Sequence, residues 1–145
     1  MNRFFTLLVV SLMWSSCEVK PQEMAYGKDA CHFCKMTIVD RQHAAQVVTV
    51  KGKAFKYDAV ECMMNHLNKW EEPPVKFYLV ADYSNPGILT DATQAHFLIS
   101  EGIPSPMGEF LTAFESKMKR DQAYQEFDGK SLDWMALKNE FGVAE

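Results

Sequence analysis

Residues 58–70, DAVECMMNHLNKW, place apolar side chains at Val60, Met63, Met64, Leu67 and Trp70. That is the i, i+3, i+4, i+7 spacing of an amphipathic helix. Asp58 reads as its N-cap with Glu61 as capping-box partner, and Pro73-Pro74 ends it. On either side lie short β-branched and aromatic runs: AQVVTV at 45–50, a KGK turn at 51–53 leading into 54–57, and VKFYLVADY at 75–83. A lone amphipathic helix among such runs must bury its apolar face on a sheet, so the chain is expected to be α+β.

The second half repeats the pattern loosely. AHFLIS (95–100) and EFLTAF (109–114) read as strands around the turn-rich EGIPSPMG. A helix from about residue 115 to 127 follows, then Asp128-Gly129 as a stop and SLDWMALKNEF as a final amphipathic segment capped by Ser131. FKYDAVECM and FLTAFESKM align at Phe, Ala and Met. The expectation is two β-β-α-β units packed together, about residues 31–90 and 91–145.

The N-terminus reads differently. MNRFFTLLVVSLMWSSC has one early cation, an apolar run and small residues before Cys17, the layout of a signal peptide over 1–16. A cysteine after small residues also resembles a bacterial lipobox, with Trp14 where Leu is usual. Cys17 is then the lipidated first residue of a mature protein, and buried acyl chains hold it at a membrane surface facing an extracytoplasmic compartment. Residues 17–30, polar and punctuated by Pro21 and Gly27, read as a lipidated tether, and the folded domain as 31–145. The net charge of −4, with no basic stripe, excludes a phosphate-neutralising nucleic-acid binder.

Lipidation of Cys17 leaves three of the four cysteines, Cys31, Cys34 and Cys62. An odd number outside the cytoplasm cannot all pair within the chain. Within CHFCKM (31–36) the CxxC spacing serves disulfide exchange or metal binding equally. A thioredoxin-like dithiol needs a strand before it and a helix beginning at it, whereas MTIVD follows and reads as extended. A structural zinc site wants four Cys or His ligands, here Cys31, Cys34, Cys62 and His66; the competing reading of Cys62 is a buried core thiol. A soft-metal site is the third reading. In an extended segment Cys34 and Met36 share a face, and thiolate with thioether suits Cu(I). Met63, Met64, Met118 and Met135 sit at helical spacing and read as core filler, whereas Met107 lies in the loop IPSPMG, with little regular surface to cover. His32 is the best fourth-ligand candidate; His43, His66 and His96 read as surface or core residues.

Together, the lipoprotein leader, Asp29-x-Cys31-x-x-Cys34-x-Met36, YDAVECM at 57–63, and Pro106-Met107-Gly108 with Phe110 and Ala113-Phe114 resemble the NosL family of copper-binding lipoproteins, over most of the chain from Cys31 to about Trp134. This chain has CKM where family members often have CGM, and YDA where they have FDD. The resemblance implies two β-β-α-β units and an accessory protein, not an enzyme, that binds Cu(I) through Cys34, Met36 and Met107, with Cys31 as a further candidate. It also implies a copper-enzyme client, nitrous oxide reductase, supplied from the periplasmic side of the membrane. The alternative from the residues is an extracytoplasmic thiol-disulfide oxidoreductase using Cys31 and Cys34.

Overall fold

The computed structural model describes residues 18–144. The proposed signal peptide and Cys17 lie outside the described residues. The first unit runs β1 (Ala45–Thr49), β2 (Ala54–Tyr57), α1 (Val60–Leu67) and β3 (Val75–Ala81), with β4 (Leu89–Asp91) added at its edge. The second runs β5 (His96–Ile99), β6 (Leu111–Phe114), α2 (Lys117–Phe127) and β7 (Lys130–Leu132), followed by α3 (Trp134–Glu140). The sheets are antiparallel, with orders β2-β1-β3-β4 and β6-β5-β7. In both units a hairpin is followed by a helix and a third strand that returns beside the first. The α+β reading with two β-β-α-β units is therefore observed.

Each strand's burial follows its place in the order. β1 is central and buried along its whole length, whereas β2 at the edge alternates, turning Phe55 and Tyr57 inward. The hairpin between them closes through Gly52, whose φ of 83° is a left-handed conformation that glycine adopts without steric cost. α1 ends as expected: Trp70 Nε1 donates to the Pro73 carbonyl at 3.2 Å, and β3 begins at Val75. One core, with Ile38, Val47, Tyr57, Met63, Phe97, Leu111 and Leu137, is shared by both units. A smaller cluster of Leu98, Ile103, Phe114 and Ala123 lies beside it, with Phe127 of α2 packed against it.

Several boundaries differ from the sequence reading. Ser131 does not cap a helix; it lies in β7, and Asp133 caps α3 by accepting from Ala136 N at 2.8 Å. MTIVD is not a regular strand: the isolated Ala30–Thr37 bridge and a bond from Gly27 N to Ile38 O at 2.8 Å join it to the preceding chain. Met118 and Met135 are exposed (73% and 46%), unlike the buried Met63 and Met64, because α2 and α3 lay only one narrow face on the protein. The polar stretch before Cys31 is docked from Gln22 onward. Buried Gln46 of β1 accepts from Gln22 N and donates to Gln22 O, both at 2.8 Å, and Met24 is buried beneath.

Candidate metal centre

The cysteine loop is a closed turn. Cys31 N donates to Met36 O (2.8 Å), Lys35 N to Cys31 O (3.0 Å), and His32 N to Lys56 O on β2 (2.8 Å). Lys56 Nζ also pairs with Asp29 at 2.6 Å, and this bond holds the Asp29 carboxyl below its usual range. The turn needs a left-handed residue, and Lys35 supplies it at φ 68°. That conformation breaks the period-2 alternation on which a shared face for Cys34 and Met36 depends. Cys31 is buried, Cys34 half-buried and Met36 exposed.

Opposite the loop stands the start of α1. Ala59, not Asp58, is the N-cap, and no side chain caps the helix. The Asp58 carboxylate instead accepts from two thiols, Cys34 Sγ at 3.3 Å and Cys62 Sγ at 3.2 Å, all through Oδ1. The ligand atoms of Cys31, Cys34, Asp58 and Cys62 lie within 4.8 Å of one another. Cys62 is thus both a buried residue and a member of the cluster. His66 is not: its Nδ1 pairs with the Tyr57 hydroxyl at 2.7 Å, and its ring lies 4.8 Å from that of His32. Burial lowers the pKa of both histidines.

The thiols are unequal in acidity. The Cys62 thiol, whose single proton is shared between Asp58 Oδ1 and Cys31 Sγ, pulls the Cys31 pKa down to about 6; burial opposes the shift, and the backbone N–H groups of Cys34 and Asp58 assist it. Burial pushes Cys34 up to about 11, and the bond to Cys31 raises Cys62 as well. One thiolate therefore stands ready beside two thiols that must lose protons before they can bind a metal.

Met107 lies on a separate loop, half-buried against the shared core. Glu61, buried one residue before Cys62, anchors that loop: its Oε1 accepts from the Ser105 hydroxyl and from Leu111 N at 3.2 Å. Ser105 Oγ in turn accepts from Phe110 N at 3.0 Å. Burial raises the Glu61 pKa, and its Oε2 has no partner. The structure thus brings Cys31 and Cys34 together with Cys62 and Asp58, leaves Met36 at the surface of the cysteine loop, and holds Met107 on a loop fastened to α1. Asp58 was missed as a site residue because an acidic residue at a helix start reads first as a cap. Its i, i+4 spacing from Cys62 was the available signal.

The family model for NosL matches residues 23–141. Among solved structures, the crystal structure of the copper chaperone NosL from Shewanella denitrificans matches with a TM-score of 0.69 at 21% identity, covering 80% of this chain and 93% of that one. At that identity the likeness is one of fold. No curated protein matches the chain.

Proposed function

The chain belongs to the NosL family, and from that premise we propose that it is a Cu(I) chaperone, a carrier and not a catalyst. Cu(I) is held by Cys34 with the thioethers of Met36 and Met107, and Cys31 is the ready thiolate beside them. The observation that carries this reading is the convergence of three thiols where one, Cys34, reaches the surface next to an exposed methionine. A buried Cys31 thiolate offers a soft ligand away from water, and Cys34 and Met36 offer an exposed edge at which an incoming ligand can share the metal. Few sulfurs on a loop permit transfer by ligand exchange, which a saturated four-ligand site would slow. The client is a copper enzyme, nitrous oxide reductase on the family resemblance. The chain works from the periplasmic side of the membrane, held by lipid on Cys17, with residues 31–90 and 91–145 as its two subunits. None of the described helices is long and apolar enough to cross a membrane.

The thiol-disulfide alternative loses its structural support. Cys31 and Cys34 lie on a closed turn with no helix starting at either, and the nearest helix, α1, begins at Val60. An anaerobic Cu(I) titration against a colorimetric competitor tests the copper reading. Cys34→Ser is expected to abolish tight binding, and Met36→Leu or Met107→Leu to weaken it about tenfold each, about 1.4 kcal/mol. Wild-type affinity in Cys34→Ser overturns the reading.

A further inference from the structure

Residues 19–23 belong to the stretch whose composition reads as a tether, yet they are fastened along the β1–β2 hairpin. We propose that this clamp seats the domain on a phospholipid headgroup surface by the tip of that hairpin, residues 50–53, and turns the base of the hairpin away from the lipid. The inference rests on the lipidation of Cys17 proposed above and adds an orientation to it.

The segment and the hairpin run side by side. At the base, buried Gln46 accepts from Gln22 N and donates to Gln22 O, both at 2.8 Å. Lys56, paired with Gln46 across the hairpin, donates its ammonium to the Glu23 carbonyl at 2.6 Å. At the tip, a Cβ built on Gly52 would lie 3.8 Å from Val19 Cγ2. The intervals from Val19 to Glu23 and from Gly52 to Lys56 are equal in the sequence, about 13 Å each when extended. Pro21 fixes its own φ and keeps Lys20 in extended backbone, so the segment is stiff as well as fastened.

Reach decides the orientation. A flexible chain over residues 17–30 would span about 20 Å and leave the domain free to turn. Clamped at Val19, the chain allows Cys17 to stray at most about 7 Å, so its acyl chains enter the bilayer beside Gly52. From there β2 leads away to Tyr57, roughly 13 Å distant, and the cysteine turn is bonded at that far end, His32 N to Lys56 O. The end that would exchange copper therefore faces the compartment and not the lipid.

The tip suits a headgroup layer without being drawn to it by charge. Val50 is 48% exposed. Lys20 pairs with Glu18 at 2.9 Å and Lys53 with Glu72 at 3.0 Å, which leaves Lys51 and, on the adjoining turn, Glu71 exposed. The charges nearly balance, so the clamp and not electrostatic attraction sets the pose. A lysine stem lies along apolar surface while its ammonium reaches a phosphate, which fits Lys51 beside Val50.

The test uses the acylated, ¹⁵N-labelled chain in phosphatidylethanolamine–phosphatidylglycerol nanodiscs, with and without lipids that carry gadolinium on their headgroups. Amides of Lys20 and of Val50–Lys53 should lose their signals first, and those of Phe33 in the cysteine turn and Gln122 on α2 should keep theirs. Inserting about ten Gly-Ser residues between Glu18 and Val19 adds roughly 17 Å of reach and leaves the domain untouched. In that variant the loss should spread evenly over the exposed amides. Gln46→Ala, which unpairs Gln22, should spread it likewise, and the insertion carries the test if Gln46→Ala does not fold. An even loss in the wild type, a loss strongest at Phe33 or Gln122, or a pattern unchanged by the insertion overturns the orientation. A mature chain whose mass shows no acyl groups overturns the anchor and the orientation with it, whereas an acylated chain without a preferred face refutes the orientation alone.

Discussion

Ser105 donates its hydroxyl proton to Glu61 Oε1, tying the loop between β5 and β6 to the helix that carries Cys62. Glu61 is buried, and besides Ser105 its Oε1 has only Leu111 N, while Oε2 has no partner. Ser105→Ala therefore removes one of two donors from a buried carboxylate and also frees Phe110 N. The expected cost is about 1–3 kcal/mol, read as a lower urea midpoint with an unchanged slope. Since Met107 rides on this loop, the same variant should also weaken Cu(I) binding. Wild-type Cu(I) affinity in this variant would mean that the loop serves only general stability.

Lys35 occupies a left-handed conformation at φ 68°, in the place where the motif it resembles often has glycine. A side chain at such a position costs about 1–2 kcal/mol, and part of that gain is returned as the greater freedom of glycine in the unfolded chain. Lys35→Gly is accordingly expected to raise stability by about 0.5–1 kcal/mol in the metal-free protein, even though it gives up the bond from Lys35 Nζ to the His32 carbonyl. Lys35→Ala loses the same bond without relieving the strain, so it should be less stable than wild type. Denaturation of the three proteins side by side decides the matter, and a glycine variant no more stable than the alanine variant contradicts it.

The helix from Val60 and the strands around it were legible because their signals are periodic: a face of Val60, Met63, Met64 and Leu67, and runs of β-branched residues. The internal repeat was legible for the same reason, since each unit buries one helix on a hairpin. Asp58 and Glu61 were legible only as residue types. The pattern of a capping box and the pattern of a carboxylate reaching sideways to thiols, or to a distant loop, are the same letters. What decides between them is the position of Cys34 and Ser105, brought near by tertiary packing that no local window contains. Met36 shows the converse: its relation to Cys34 was inferred from strand alternation, and a single left-handed residue, Lys35, cancels that inference. β4 and β7, of three residues each, are too short to carry a periodicity of their own.

Gly129 sits where the chain leaves α2 and turns into β7. Its φ is 131°, and a Cβ there would lie 2.2 Å from the Ile99 carbonyl oxygen and 3.0 Å from Ser100 Cβ. The obstacle is backbone in a paired strand, so it cannot yield as a side-chain tip can. Gly129→Ala should cost more than about 3 kcal/mol, beyond the range of an ordinary surface change. The loss should be concentrated in β5 and β7, where amide hydrogen exchange would show it first. A variant with wild-type protection at Ile99 and Leu132 would contradict the assignment of this contact.

Asp40 joins the first unit to the second through His43. Its Oδ2 pairs with His43 Nδ1 at 3.0 Å, and His43 Nε2 lies 3.4 Å from Thr112 Oγ1 on β6. Burial pushes the Asp40 pKa up, but the bonds from His43 and from the Gln42 and His43 backbone N–H groups outweigh it, and the pKa falls below its ordinary value. A carboxyl depressed on folding contributes stability that is fully present above its unfolded pKa, near 4, and is lost as pH falls through the lower folded value. Asp40→Asn keeps an acceptor without the charge, so it should be less stable than wild type by about 1–2 kcal/mol at pH 7. The gap should narrow as pH falls below about 4, where the wild-type carboxylate takes up its proton and the asparagine does not titrate. Urea midpoints of the two proteins between pH 7 and pH 3 measure this directly. A gap that stays constant across the range would show that the Asp40 charge adds nothing and that its geometry alone holds His43 in place.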